Sequence, residues 1–203
     1  TNFFREKEHF LYLKKVFNLI EENLLKEKRS EIRVWCAAAS TGEEPYSIAM
    51  TVAEHFGSFE VPIDIIASDI DSQVLAIATK GIYPQERVEN LSQTQLKNFF
   101  HRGVAAQAGQ VRVVPELAAM VKFTRINLLD QKWPLPESID VIFCRNVMIY
   151  FDKSMQLQIL ERMVKRLSPD GLYIAGHSEN FAHASHLVKP NGKTTYKPVT
   201  NRS

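Results

Sequence analysis

Two acidic residues follow a tight turn of small residues near the start of the chain, a pattern suited to ligand binding. Residues 34–38 are apolar or small, residues 40–42 read Ser-Thr-Gly, and Glu43 and Glu44 open a helical pattern. Small turn residues let the backbone approach a ligand, and the free N–H groups of the first helical turn point toward it. The spacing predicts a nucleotide-type pocket. Thr41 and Glu44 also fit an S/T-x-x-E capping box, so Glu44 is interpreted either as a cap or as a carboxylate for a ligand ammonium group.

A third acid, Asp69, directly follows the next apolar stretch, residues 63–68. An acid at the end of the second strand of a nucleotide-binding fold accepts hydrogen bonds from ribose hydroxyls. A cap for the following helix is the alternative, but Asp71 or Ser72 is better placed for that role.

The charge around the first turn narrows the class of ligand. A dinucleotide site needs a G-x-G-x-x-G run, whereas this turn holds one glycine followed by two acids. Two carboxylates at a helix N-terminus repel a pyrophosphate but tolerate a ligand that has a ribose and a positive amino group and no phosphate. The pattern therefore favours S-adenosylmethionine over a dinucleotide.

Further polar residues follow the later apolar stretches, namely Asn127, Arg145, Tyr150 and His177. Taken singly, Asn127 satisfies a turn or an adenine edge equally well. Arg145 and Tyr150 read as a surface cation and a half-buried aromatic, and His177 reads as a structural histidine more readily than as a catalyst.

The elements that must position these residues alternate along the chain. Apolar stretches predict strands at 32–38, 63–68, 121–127, 139–144 and 172–175, and helical spacing predicts helices at 5–28, 43–55, 74–80 and 154–167. Such alternation predicts an α/β fold with a doubly wound, mostly parallel sheet, in which ligands bind beyond the carboxyl ends of the strands. Residues 168–171 are predicted to form a turn, and residues 194–199 a last strand at the sheet edge.

Residues 82–120 break this alternation and are predicted to form a small inserted subdomain. Residues 92–102 have helical spacing, residues 103–110 read as a loop, and residues 111–114 alternate like an edge strand closed by Pro115.

Length and composition limit the number of domains and the class of protein. The 203 residues suffice for one α/β domain, and a net charge of +2 predicts no nucleic-acid footprint. Cys36 and Cys144 have no C-x-x-C spacing, so we expect reduced core thiols in a cytoplasmic protein and no metal site. The sequence has no apolar run of about 18 residues and no signal peptide, so we expect neither membrane insertion nor export. Because the chain starts at Thr1 without Met, we expect a piece of a longer protein.

Five stretches together resemble the CheR family of chemotaxis receptor glutamate O-methyltransferases, which are class I, Rossmann-like enzymes dependent on S-adenosylmethionine. They are TNFFRE at 1–6, WCAAASTGEEPYS at 35–47, ASDID at 67–71, FCRNVMIYF at 143–151 and AGHSENF at 175–181. Their order along nearly the whole chain makes the resemblance specific.

The resemblance implies roles for individual residues. Arg5 and Tyr150 match residues near the transferred methyl, and Arg102 matches an arginine that the insertion brings to the site. No role follows for His177. The implied cofactor contacts are Thr1, Arg5, Glu44, Asp69, Asn127, Leu128, Arg145 and Asn146.

The implied reaction converts glutamate side chains of methyl-accepting chemotaxis receptors into methyl esters and leaves S-adenosylhomocysteine. We expect a monomer that takes no nucleic acid. Residues 82–120 match the family's β-subdomain, which in some members docks a peptide from the receptor C-terminus. The family's N-terminal helical domain is absent from this chain, and residues 1–203 are predicted to form the catalytic domain.

Two rival functions remain at this level. Amino-group methylases of nucleic acids place an N/D/S-P-P-aromatic run after the fourth strand, where this chain has Arg145-Asn146-Val147-Met148 without proline. The other rival is a module that binds the cofactor without transferring its methyl group.

Overall fold

The computed structural model of the protein describes residues 1–27 and 30–199. Its helices are α1 (Glu8–Glu27), α2 (Glu43–Phe56), α3 (Ser72–Lys80), α4 (Gln93–Phe99), α5 (Pro115–Ala119) and α6 (Lys153–Val164). Its strands are β1 (Ile32–Cys36), β2 (Ile63–Asp69), β3 (Ile82–Pro84), β4 (Phe100–Arg102), β5 (Gln110–Val113), β6 (Val121–Arg125), β7 (Ile139–Phe143), β8 (Leu167–Ile174), β9 (Val188–Pro190) and β10 (Thr195–Pro198).

Strands and helices alternate around a seven-stranded sheet in the order β6-β2-β1-β7-β8-β10-β9. The five strands from β6 to β8 in this order run parallel, and β10 and β9 pair antiparallel to their neighbours. The predicted α/β fold with a mostly parallel sheet is confirmed. The chain order reverses between β1 and β7, so the carboxyl ends of these strands border a crevice of the kind that binds ligands.

Helices cover both faces of the sheet because its central strands are apolar on both sides. Val34 and Phe143 belong to one buried cluster, which includes α1 and α2 side chains, whereas Trp35 and Ile142 belong to a second cluster with α6. Successive strand residues thus face opposite layers, as a parallel sheet requires. Both cysteines are free and buried, as expected.

The stretch predicted to form a subdomain contains an antiparallel sheet in the order β3-β5-β4. Its buried residues Tyr83, Phe100 and Val113 join the same apolar cluster as α2. The prediction that 111–114 forms an edge strand was wrong, because β5 pairs on both sides. The predicted helix at 92–102 ends at Phe99, since Phe100 turns into β4 and pairs with Val113.

Two further predictions were wrong at the far end of the main sheet. Residues 168–171 lie within β8, whose register with β7 shifts between Ile139 and Val141, so the turn-like sequence is a bulge. The last strand, β10, pairs with both β8 and β9 and is not the edge. The edge is β9, which has only three residues and was too short to detect by alternation.

Among the helices that the structure describes, none combines the length and apolar character needed to cross a bilayer. The domain limits at 1–203 and 82–120 stay predictions.

Candidate active site

A cleft of about 440 Å³ lies at the carboxyl ends of β1, β2 and β7, beside the N-terminal segment of the chain. This volume falls within the roughly 300–1,000 Å³ typical of small-molecule sites. Seven of the residues predicted for the site line the cleft: Thr1, Arg5, Glu44, Asp69, Arg145, Asn146 and Tyr150.

The turn after β1 takes a backbone path that depends on its small residues. Ser40 and Gly42 both have positive φ angles, and Gly42 occupies the N-cap position of α2 without any side-chain cap. Thr41 donates its hydroxyl hydrogen to the Glu43 carboxylate at 2.6 Å. The predicted Thr41–Glu44 capping box was therefore wrong, and the Glu44 side chain is available for the cleft.

The two adjacent acids face different surroundings. Glu43 is 1% exposed, and its carboxylate lies 3.6 Å from Arg87. Glu44 lines the cleft and accepts hydrogen bonds from Arg145 Nη1 at 2.7 Å and from the Cys36 thiol at 3.1 Å. Burial raises the pKa of Glu44, and the Arg145 guanidinium opposes that rise. Of the two acids that the sequence places at this helix terminus, only Glu44 lines the cleft, where Asp69 is the second carboxylate.

Asp69 is fixed by backbone groups at the neighbouring strand end. Its Oδ2 accepts the N–H of Ser40 at 2.8 Å, and its Oδ1 accepts the N–H of Asp71 at 3.1 Å. Asp71 caps α3 by accepting the N–H of Gln73, as the sequence suggested. The half-buried Asp69 carboxylate therefore presents acceptor oxygens to the cleft in a fixed orientation.

Arg145 is buried, contrary to the expectation of a surface cation. Its Nη1 pairs with Glu44, while its Nη2 donates to the backbone carbonyl of Arg5 at 2.5 Å and lies 3.1 Å from the Glu6 carboxylate. Two carboxylates and one carbonyl compensate the cost of burying this guanidinium. Arg145 thereby fastens the N-terminal segment to α2 and to the end of β7.

Three residues implied by the resemblance lie outside the set that lines this cleft. The Asn127 side chain accepts the N–H of Leu129, which fits the turn-satisfying interpretation, and Leu128 is buried in the cluster of α6. Arg102 is exposed and lines a separate cleft on the small sheet, with Ile82 among its neighbours. Their contacts with cofactor or substrate stay predictions.

A cluster of Glu6, His9 and His177 lies behind Arg145, with potential ligand atoms within 4.8 Å of one another. Burial first, and then Arg145, lower the pKa of His9 to about 4, so this histidine is neutral near neutral pH. Glu6 Oε2 already lies 3.1 Å from the Arg145 guanidinium, whose positive charge opposes a second cation there. His177 contacts Glu8 at 2.6 Å and donates its backbone N–H to Glu6, which fits a structural role.

Glu179 received no role from the sequence, although it is the acidic residue in the polar run that follows β8. It is 6% exposed, and its carboxylate accepts four backbone N–H groups from the loops that follow β7 and β8.

Comparison with known proteins identifies the family of the chain. The family described as CheR methyltransferase, SAM binding domain, matches residues 1–197. Chemotaxis protein methyltransferase 2 of Pseudomonas aeruginosa is 53% identical over 98% of this chain and 69% of its own length. Chemotaxis protein methyltransferase of Escherichia coli is 48% identical over 97% of this chain and 66% of its own length. The chain therefore spans about two thirds of these curated relatives.

A solved structure supports the fold. The DszA carbon methyltransferase superposes with a TM-score of 0.51 at 12% identity, covering 83% of this chain and 35% of that protein. The family match over nearly the whole chain and the two high identities decide the assignment: the chain belongs to the CheR methyltransferase family, whose S-adenosylmethionine-binding domain it contains.

Proposed function

We propose that this chain is the catalytic part of a chemotaxis receptor glutamate O-methyltransferase. The observation that carries the proposal is the single cleft in which Arg5, Glu44, Asp69, Arg145 and Tyr150 meet. The names of the relatives supply chemotaxis and methyl transfer, and the resemblance supplies glutamate as the acceptor.

The donor set of the cleft fits S-adenosylmethionine. The fixed Asp69 carboxylate suits ribose hydroxyls, and Glu44 suits the ammonium group of the methionyl part. Arg145 lies 2.7 Å from Glu44, which compensates that half-buried carboxylate. When bound, the cofactor supplies a methyl group on a sulfonium centre.

The acceptor needs positioning more than activation. A glutamate has a reference pKa of about 4.3, so it is ionised at neutral pH and needs no general base. Its oxygen forms the bond to the methyl carbon while the carbon–sulfur bond breaks and the electron pair stays on sulfur. Holding these atoms in line supplies on the order of 7–11 kcal/mol of the barrier.

The residues at the mouth of the cleft suit this task. Arg5 is exposed and lines the cleft, so its guanidinium orients the incoming carboxylate. Tyr150 lines the cleft and is 79% exposed, and the resemblance assigns it a place beside the transferring methyl. An arginine held in water orients its partner without stabilising the ground state as strongly as a buried ion pair would.

The partners of this function are methyl-accepting chemotaxis receptors. If the small sheet docks a receptor peptide by strand addition, the strand that accepts it is β3 or β4, because β5 is paired on both sides. A cytoplasmic location and a monomeric state belong to the same proposal.

Replacing Arg5 by Ala in the intact protein tests the proposal. We expect transfer of labelled methyl to receptor to fall about 100-fold, because about 3 kcal/mol of orientation is lost. S-adenosylhomocysteine affinity, measured by titration calorimetry, should fall as well. Unchanged turnover together with unchanged affinity would end the proposal for Arg5, and Arg102→Ala, measured alongside, tests the role implied for the insertion.

The same assays separate the rival functions. Transfer to DNA or RNA without transfer to receptor would favour a nucleic-acid methylase. Binding of S-adenosylhomocysteine by the intact protein without any transfer would favour a cofactor-binding module.

A further inference from the structure

We propose that Glu179 is a positioning residue for methyl transfer, holding the two loops after β7 and β8 in the arrangement that the cofactor requires. The inference rests on the proposed function of the cleft. It concerns a carboxylate that does not line the cleft but lies directly behind it.

Both oxygens of Glu179 are saturated by backbone donors. Oε1 accepts the N–H groups of Val147 at 3.0 Å and Met148 at 2.8 Å. Oε2 accepts those of Asn146 at 3.1 Å and Gly176 at 2.7 Å. Hydrogen bonds to an ionised acceptor are stronger than neutral ones, so this carboxylate acts as a clamp on two separate loops.

The clamped loop after β7 is the largest contributor to the wall of the cleft. Its residues in that wall are Arg145, Asn146, Val147, Ile149 and Tyr150, and three consecutive N–H groups of this loop point at Glu179. A shift of the loop would therefore move cofactor contacts and the Tyr150 ring together.

The path of this loop depends on the contacts that hold it in place. Asn146 has a φ angle of +57°, a left-handed conformation that needs support from its surroundings. The second loop packs directly against it, because a Cβ on Gly176 would lie 2.4 Å from the side-chain Nδ2 and 3.0 Å from the backbone nitrogen of Asn146. Glu179 bonds to both loops at this point of contact and so sets their relative position.

The isosteric change Glu179→Gln separates clamping from simple space filling. A glutamine offers one acceptor oxygen and one NH₂ donor, so in either orientation two of the four N–H groups face another donor. The pair that loses its acceptor is Val147 with Met148, or Asn146 with Gly176. The side-chain volume is conserved, while the loop after β7 is released on one side.

The matched control is Asp140→Asn. Asp140 is 3% exposed and accepts a backbone N–H from Arg33 and a hydroxyl hydrogen from Ser168, but it does not line the cleft. Losing this buried carboxylate should lower thermal stability without moving the residues of the cleft.

The experiment measures S-adenosylhomocysteine Kd by calorimetry, and KM and kcat for receptor methylation, at a temperature where every variant is folded by circular dichroism. We expect Glu179→Gln to raise Kd at least about tenfold and to lower kcat, because contacts and Tyr150 shift together. Asp140→Asn should leave Kd and kcat within about twofold of the parent, even if its melting temperature falls as much as that of Glu179→Gln.

Equal Kd and kcat in Glu179→Gln and the parent, with only the melting temperature lowered, would overturn the inference and leave Glu179 a fold-stabilising residue. If Glu179→Gln does not fold, Gly176→Ala disturbs the same loop contact from the other side, and unchanged Kd and kcat there would also overturn it. A parent protein that binds no S-adenosylhomocysteine would instead refute the proposed function, which keeps the two failures distinguishable.

Discussion

Arg145 is the residue on which the charges of the cleft converge. Its buried guanidinium contacts Glu44, the Arg5 carbonyl and Glu6, three groups that belong to α2 and to the N-terminal segment. A planar group with several donors can satisfy all three at once, whereas an ammonium cannot reach them in the same geometry.

We therefore expect Arg145→Lys to raise the Kd of S-adenosylhomocysteine about tenfold or more while retaining the charge. Titration calorimetry measures the affinity. Arg33→Lys is the control, because Arg33 is half-buried on β1 and contacts Glu31 instead of the cleft. An unchanged Kd for Arg145→Lys would show that charge alone suffices at this position.

His9 makes the stability of the fold sensitive to acid. Its pKa in the folded protein is lowered to about 4, by burial and then by Arg145. The unfolded chain has a histidine pKa of about 6.5, so between these values only the unfolded state binds the proton. Stability should fall by about 2–3 kcal/mol as the pH drops from about 6.5 to about 4.

Urea unfolding at several pH values measures this loss. His9→Gln should remove most of the decline in that window, although it also loses the contact with Thr194 and so starts from a lower free energy of unfolding. His101→Gln, on an exposed histidine, should keep the full decline. Parallel curves for the parent and His9→Gln would contradict the assignment.

At the scale of elements, the start of α2 places both the Glu44 side chain and the backbone turn of the cleft. The turn needs Gly42, whose φ angle is +99°. A Cβ added at this position would lie only 2.8 Å from the Tyr83 hydroxyl oxygen. Strain and crowding at this point act on the same helix terminus that carries Glu44.

Gly42→Ala should lower the free energy of unfolding by more than about 2 kcal/mol, since backbone strain adds to a clash in a packed region. The control at the other end of the same helix is Gly57→Ala. Gly57 also has a positive φ, but nothing lies within 4 Å of its added Cβ, so about 1 kcal/mol is expected there. Equal losses in urea unfolding would show that crowding by Tyr83 and Ala78 is unimportant.

At the scale of the whole molecule, the N-terminal segment joins the two sheets over the cleft. Phe3 is fully buried and packs edge-on against Tyr83 and Phe100 of the small sheet. Asn90 donates to the Phe3 carbonyl, and Phe4 N–H donates to Ser47 on α2. The wall of the cleft that carries Thr1 and Arg5 is thus held from both sides.

Phe3→Ala should lower the free energy of unfolding by about 3–5 kcal/mol, because the lost ring leaves a cavity between the N-terminal segment and the small sheet. S-adenosylhomocysteine affinity should fall as well, because the segment carrying Arg5 loses its anchor. Leu11→Ala, at a position 62% exposed on α1, should change neither quantity appreciably. A stable Phe3→Ala protein with parental Kd would contradict this account of the segment.

The sequence by itself determined the α/β alternation, the central strands and the acids at strand ends. Strands such as β7 are buried along their whole length, so their apolar runs are visible without any partner. The prediction of a cleft with Glu44 and Asp69 followed from the rule that parallel strands end at one edge. Prediction from the sequence failed at β9, which has only three residues. It also failed at β5, because pairing on both sides leaves no local signal in the sequence.

Only the tertiary structure decided which polar groups meet. Glu44 and Arg145 are 101 residues apart along the chain, and Glu179 reaches loops that no spacing rule connects to it. Residue type and local pattern report how much a group prefers water, but the burial of Arg145 depends on counter-charges supplied from distant segments. Those partners exist only once the sheet has brought its strand ends together.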